Sequence, residues 1–332
     1  MIITSTPFRI SFFGGGTDYP VFYEENGGSV LSTSINKFCY ITVRYLPPFF
    51  NYKYRIRYTS REETQTISEI KHPSVRECLN FVPIEHGVEM VHHADLPAMS
   101  GLGSSSSFTV GLLHALYALQ GKMMTKRQLA LNAIYVEQDM IKENVGSQDQ
   151  TIAAFGGFNK IVFGGPQKIT VQPVTLDQDK LELLQNHLML FFTGFPRNAS
   201  EIAGEQVRKT PENRTELKTM MSMVDDALDT LKAGKDRLMD FGGLLQESWK
   251  IKRSLTQRIT NSSIDEIYEA GIAAGAVGGK LLGAGGGGFM LFFVKPELQP
   301  KVREKLGKLL YVPFRFHNLG SQIIYYAPEE NF

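Results

Sequence analysis

Residues 96–107 read LPAMSGLGSSSS and run without a break into FTVGLLHALYAL at 108–119. A serine run by itself has the composition of a flexible linker. Here Phe108, Leu112, Ala115 or Leu116, and Leu119 recur at the spacing of one helix face. The serines therefore belong to a helix N-terminus, reached through a glycine turn from a strand expected over 88–94. Such a terminus presents unpaired backbone N–H groups and the positive end of the helix dipole, which suits an anion. Gly101 and Gly103 let the backbone come close to a phosphate, and the hydroxyls of Ser104, Ser105, Ser106 and Ser107 can donate to oxygens or ligate magnesium. The pattern is not a P-loop, because no Gly-Lys-Ser/Thr follows, and Ser106 stands where a dinucleotide fingerprint requires glycine. From this loop alone, a phosphate cradle and a capped structural turn are equally open.

Upstream of the loop the chain reads as strands broken by glycine. Residues 2–13 and 29–46 are rich in Ile, Val, Thr, Phe and Tyr, and GGGTDYP lies between them. In YKYRIRYT (52–59), Lys53, Arg55 and Arg57 alternate with Tyr54, Ile56 and Tyr58, which reads as a solvated edge strand. A short helix is expected over 74–82. Downstream, Thr125 and Gln128 form a capping box, and the helix they open carries Leu129, Ala133, Val136 and Met140 on one face. Strands return over 158–175, followed by a helical connector near 176–186 and a new apolar strand at 188–194. The rest is richer in helix, with Thr210-Pro211 expected to start one. Strands near 280–282, 288–294, 311–316 and 322–327 close the chain. This order predicts an α+β protein of two domains, 1–180 and 181–332.

Three further stretches carry chemistry. In KLLGAGGGGFMLFF (280–293), glycine fills five of the six positions from Gly283 to Gly288. A tight turn needs fewer, so this backbone is expected to pass close to a phosphate or to the first loop. In PFRISFFGGGTDYP (7–20), Arg9 lies in an otherwise apolar or small strand, where a charge is costly unless paired. Asp18, after Gly14, Gly15, Gly16 and Thr17, is placed either to bond a hydroxylated ligand or to cap its own turn. In EQDMIKENVGSQDQ (137–150), Glu137 borders an apolar helix face, and Asp149 follows Gly146 and opens another apolar run. Carboxylates on either side of a glycine turn suit magnesium and general-base work. His92 and His93 alternate in a strand and make a poor metal pair, and Trp249 is expected to pack.

Composition bounds these readings. The 332 residues carry 42% hydrophobic and 21% charged residues and a formal net charge of +1. That balance gives no global attraction to nucleic acid or an anionic membrane, so anion binding has to be local. Two cysteines, Cys39 and Cys78, make no disulfide framework. With no signal-peptide pattern and no apolar run of transmembrane length, a cytoplasmic protein is expected.

Taken together, PFRISFFGGGTDY, PAMSGLGSSSS and KLLGAGGGGF, in that order and spread over almost the whole chain, resemble the three motifs of the GHMP kinase superfamily. RISFFGGGTDYP, GLGSSSSFTVGLLHAL, VGSQDQ and TGFPRNASEI narrow the likeness to its D-glycero-D-manno-heptose 7-phosphate kinases. The resemblance implies an N-terminal domain like domain 2 of ribosomal protein S5, a ferredoxin-like C-terminal domain, ATP and Mg²⁺ as cofactors, and a sugar phosphate as the acceptor. It implies Asp149 as catalytic base with Arg9 as its partner, and magnesium on Glu137 and Ser105, with Ser104 and Ser106 close rivals for that serine. It places nucleotide at Pro97, Gly101, Leu102, Gly103, Ser104, Ser105, Ser106, Ser107, Gly285 and Gly286. It places sugar at Gly15, Gly16, Thr17, Asp18, Lys280 and Arg197, the last a reasonable contact for a terminal phosphate. One departure bears on the substrate. Galactokinases carry Glu-His where this chain has Gly15-Gly16, which leaves room for a longer, phosphorylated sugar. A monomer or homodimer is expected. Another sugar kinase of the superfamily, or an inactive relative that only binds sugar and nucleotide, stays open.

Overall fold

A computed structural model describes residues 1–165, 168–194, 199–234 and 237–328. The chain begins with β1 (Ile2–Phe13), α1 (Pro20–Asn26) and the long β2 (Gly28–Tyr45). β3 (Tyr54–Arg57), β4 (Arg61–Thr64), α2 (Pro73–Phe81) and β5 (Val88–Ala94) lead to the serine loop. Beyond it come α3 (Ser104–Leu119), α4 (Lys126–Tyr135), α5 (Gln148–Phe155), β6 (Phe158–Phe163), β7 (Ile169–Pro173) and α6 (Gln178–Asn186). The second half holds β8 (Leu188–Phe192), α7 (Ala199–Lys209), α8 (Arg214–Lys232), α9 (Leu238–Leu255) and α10 (Ser262–Ala273). It ends with β9 (Ala276–Leu281), β10 (Phe289–Val294), α11 (Gln299–Lys305), β11 (Leu310–Tyr311) and β12 (Gln322–Tyr326).

Two separate sheets carry helices, as the α+β expectation requires. The larger has the order β12-β1-β2-β5-β3-β4, with β6 and β7 continuing from the first half of β2. The smaller has the order β11-β8-β10-β9, antiparallel throughout. β2 can serve two neighbours because it is long: its first residues pair β6 and its later ones pair β5. The apolar α3 lies on this sheet, with Val110, Leu113, Ala115 and Leu116 wholly buried.

One core runs through both halves. Phe12 and Phe13 of β1 meet Phe241 of α9 edge-on at 5.5 and 5.1 Å, and Phe293 of β10 stands behind it. Trp249 is buried in a second cluster beside Tyr268, so its expected packing role is what the fold shows.

Three local expectations need correction. β12 does not join the smaller sheet; it pairs antiparallel with β1. β3 is not an edge strand, because β5 and β4 flank it, and Arg55 is held by Glu89 and lies over the Phe50 ring. Thr210-Pro211 starts no helix. The Thr210 hydroxyl donates to the Gln206 carbonyl and closes α7, proline ends it, and α8 begins at Arg214. A boundary near residue 180 stands as a proposal, with β12 returning to the first domain.

The glycine-rich segment 283–288 packs against the serine loop. Gly288 has φ of +103°, and a Cβ there would overlap the Ser100 carbonyl oxygen. Gly288→Ala is therefore expected to lower stability by about 1–3 kcal/mol. Denaturant unfolding measures this, and an unchanged midpoint would show that the contact between the loops is not a constraint.

Candidate active site

β1 places Arg9 where a charge has no access to bulk water, its side chain only 5% exposed. The guanidinium resolves this with a two-pronged bond: Nε and Nη2 each donate to a carboxylate oxygen of Asp149 at 2.8 Å. Nη1 donates to the Gly101 carbonyl at 2.6 Å, and the Arg9 backbone N–H donates to the Leu102 carbonyl. One side chain thus ties strand, serine loop and the first turn of α5 together. Gly103 sits in the gap. A Cβ on it would lie 3.2 Å from Arg9 Cγ and 3.3 Å from Asp149 Oδ2.

Gly103, at φ of +76°, is also the N-cap of α3 and supplies no side-chain cap. The first-turn N–H groups receive no side-chain cap from it, as a phosphate cradle would require. Gly101, Gly103, Ser104, Ser105 and Ser106 line a cavity of about 310 Å³. Arg9, Asp149, Gly15, Gly16, Asp18 and Lys280 line the same cavity, so three distant motifs converge on one space.

The other expected residues stand behind that wall. Leu102 is core, and the Ser107 hydroxyl donates to the Pro7 carbonyl. The Thr17 hydroxyl is used on the Gly14 and Ser29 carbonyls. Gly285 packs on Ile259, whose carbonyl accepts the Gly286 N–H. Pro97 is exposed beside the loop and does not line the cavity. Arg197 lies outside the described residues.

Glu137 sits in a π-turn, Val136–Met140, that extends α4. Such turns recur at functional sites because they re-aim one side chain. The Ser106 hydroxyl donates to Glu137 Oε2 at 2.8 Å, and the Gln150 amide donates to the same oxygen. Ser106, rather than Ser105, is therefore the serine joined to Glu137; Ser105 is exposed and lines the cavity. Glu137 Oε1 has no partner among the described residues, and burial pushes the carboxyl up to about 7. A buried carboxylate with a free oxygen, screened from the cavity by one hydroxyl, fits a magnesium ion whose remaining ligands come from phosphate and water. Among the described residues no group of three or more His, Cys, Asp or Glu could hold a metal by itself.

Asp18 is the buried carboxylate of another part of the cavity wall. Its carboxylate accepts from the Gly16 N–H at 3.0 Å and the Gln148 N–H at 3.4 Å. Burial, with the nearby Asp149 charge second, pushes this carboxyl up to about 6. Gly146 is glycine because a Cβ would overlap that carboxylate. Lys280 comes from β9, is 2% exposed, and donates to the Phe12 carbonyl at 2.6 Å. The sequence reading missed Ser11, Glu143, Asn144, Gln148, Gln206 and Lys252 in the cavity wall. Ser11 and Gln148 had a signal, since each lies within two residues of the ion pair; the others reveal themselves only in three dimensions.

The family follows from this arrangement and from direct comparison. GHMP kinases N terminal domain matches residues 69–157 and GHMP kinases C terminal matches 216–312. The chain belongs to the GHMP kinases and is an ATP-dependent kinase. A D-glycero-alpha-D-manno-heptose 7-phosphate kinase of Campylobacter jejuni is 29% identical over 92% of this chain and 93% of its own. The L-fucokinase/L-fucose-1-P guanylyltransferase of Bacteroides fragilis is 24% identical over 91% of this chain but only 35% of its own. Among solved structures, a D-glycero-D-manno-heptose 1-phosphate kinase from Bacteroides thetaiotaomicron superposes with a TM-score of 0.77 at 23% identity, covering 98% of this chain and 99% of that one. Lactococcus lactis galactokinase gives 0.76 at 20% identity, covering 97% and 94%. At these identities the structures establish the two-domain fold.

Lys280 yields a stability test. Burial, with the Arg9 charge second, pulls its ammonium down to about 7 from 10.5. A depressed lysine costs the folded state most below about pH 7, where both folded and unfolded chains carry the proton. The cost fades as pH rises from about 7 toward 10.5. Lys280→Met is expected to raise the melting temperature of the unliganded protein more at about pH 6 than at about pH 9.5. A variant that melts lower at both values would show that the bond to the Phe12 carbonyl outweighs desolvation.

Proposed function

We propose that this kinase is a sugar kinase that phosphorylates the anomeric hydroxyl of D-glycero-D-manno-heptose 7-phosphate, giving the 1,7-bisphosphate. The observation that carries the reading is the Arg9–Asp149 pair, held at the N-terminus of α3 and opening onto the cavity that Gly15, Gly16 and Asp18 line. Similarity to the Campylobacter jejuni enzyme along nearly the full length of both chains supports the choice of acceptor.

The mechanism uses the chain's own groups. ATP phosphates rest on the backbone N–H groups at the start of α3 and on the Ser104 and Ser105 hydroxyls. Magnesium, when bound by Glu137 and Ser106, neutralises charge on the phosphate oxygens. The acceptor hydroxyl attacks the γ-phosphorus in line, the bond to the ADP oxygen breaks, and Asp149 takes the hydroxyl proton. Arg9 fixes that carboxylate's orientation and offers its remaining N–H donors to the transferring phosphoryl. Gly15 and Gly16 keep the far end of the sugar unobstructed, and Arg197 is our candidate for its terminal phosphate. Among the described residues no helix is long and apolar enough to cross a membrane. We place the enzyme in the cytoplasm as a monomer or homodimer, upstream of nucleotide-activated heptose for surface polysaccharide.

The test is coupled ADP release from MgATP with heptose 7-phosphate, mannose, fucose, galactose and an N-acetylhexosamine. Turnover is expected with the heptose phosphate, and Asp149→Asn is expected to lower kcat by about 10²–10⁴. Turnover with an unphosphorylated sugar instead would keep the mechanism and overturn the acceptor. Tight nucleotide binding without ADP release from any of them would favour an inactive sugar- and nucleotide-binding regulator.

A further inference from the structure

A second cavity, of about 350 Å³, lies between the 46–53 loop and residues 85–87. Gly87 precedes β5 and the serine loop follows it, so the strand separates the two places by about 20 Å. The kinase reading gives this cavity no task. Its walls are aromatic and proline: Tyr45, Pro47, Pro48, Phe50, Tyr52 and His86. They are also firmly built. The Arg55 guanidinium lies 4.2 Å over the Phe50 ring, which stacks on Tyr52 at 5.3 Å, and Arg55 donates to Glu89 Oε1 at 3.2 Å. The Leu46 N–H donates to the Gly87 carbonyl at 2.8 Å, and a Cβ on Gly87 would overlap the Lys53 carbonyl oxygen. The two sides of the cavity are thus closed on each other at the base, and the prolines stiffen the loop between.

Phe49 stands between two wall residues yet does not line the cavity; 83% of it is exposed. An aromatic knob beside an aromatic cavity, on one loop, is self-complementary about a two-fold axis, because each copy's knob meets the other's cavity. The volume suffices, since an apolar cavity of about 150 Å³ already accepts a benzene ring. The rim charges agree. Lys53 and Glu85 line the same cavity, both are exposed, and neither forms an ion pair among the described residues. A two-fold sets the lysine of each copy against the glutamate of the other. The surrounding surface is apolar as well. Ile2 pairs with both Tyr326 and Val43, which puts the exposed Tyr325 and Tyr326 at the end of the sheet from which the 46–53 loop leaves. Phe49, Phe50, Tyr325 and Tyr326 together present on the order of 400–500 Å². A stable interface takes about 800 Å² from each partner, a little over half of it apolar.

We infer that this face binds a second copy of the chain, with Phe49 of each copy filling the cavity of the other and reciprocal Lys53–Glu85 pairs closing the rim. The homodimer is isologous and leaves both active sites on the far side of β5 from the interface. Its affinity rests on the aromatic anchor, and the charges fix the register of the two copies.

Sedimentation equilibrium of the full chain is the test. The wild type is expected to dimerise at micromolar concentration. Phe49→Asp is expected to raise the dimer Kd by about 30-fold or more, as loss of a central aromatic anchor does. Lys53→Glu and Glu85→Lys each set like charges face to face and are expected to weaken the dimer, whereas the two exchanges combined are expected to restore it. Phe49, Lys53 and Glu85 are exposed, so the far-UV circular dichroism of every variant is expected to match the wild type. A wild type that sediments as single copies at every concentration would leave the cavity to an unrelated partner or small ligand and overturn the inference. A Phe49→Asp variant that dimerises as tightly as the wild type would overturn it too, as would a combined exchange no tighter than either single one. The inference does not rest on the kinase reading, and none of these outcomes touches that reading.

Discussion

The buried ion pair between Arg9 and Asp149 is the constraint around which the rest of the site is arranged. A guanidinium with 5% exposure loses most of its hydration, and only a partner with matched geometry makes its position tenable. The two parallel bonds to Asp149 and the third to the Gly101 carbonyl supply that match. Several sequence features then follow as requirements. The serine loop has to curl over Arg9, residue 103 has to lack a side chain, and α5 has to start where it does. The same contacts put a residue without a side-chain cap at the N-terminus of α3.

The cavity exists because two halves of the chain meet without interdigitating at that point. Below it, Phe12, Phe13 and Phe241 weld the halves into a continuous core. Beside it, the glycine-rich segment after β9 lies against Ser100 without side chains in the way. The Lys252 ammonium holds that segment by its Leu281 and Gly283 carbonyls. Between seam and segment the walls carry charge and hydroxyls: Asp18 with a raised pKa and Lys280 with a lowered one, and Glu137, also raised, stands behind Ser106. Perturbed titrations of this kind cluster at functional sites.

Much of this was legible from sequence because the functional residues also carry backbone demands. Glycines at 103, 146 and 288 each mark a close approach, and glycine-rich runs stand out in any chain. The fold class was equally open to reading, since the period-two and period-3.6 stretches are long. What could not be read was pairing between distant segments. Nothing local in QIIYY at 322–326 says that it will join β1 rather than the nearer β10. Nothing in YRIR says that β4 will cover its outer edge. That Ser106 rather than Ser105 reaches Glu137 turns on helix phase at a terminus, where one residue of rotation changes the partner.

The pairing of β12 with β1 has a consequence for how the protein is made. β1 leaves the ribosome long before β12, and its outer edge stays unpaired until residues 322–326 emerge. Throughout synthesis that edge offers a row of free backbone donors and acceptors from a strand that is largely apolar. Arg9 sits on this strand, so the ion pair is built on a segment whose outer neighbour arrives late. Nascent chains stalled before β12 are thus the form of this protein most in need of a chaperone.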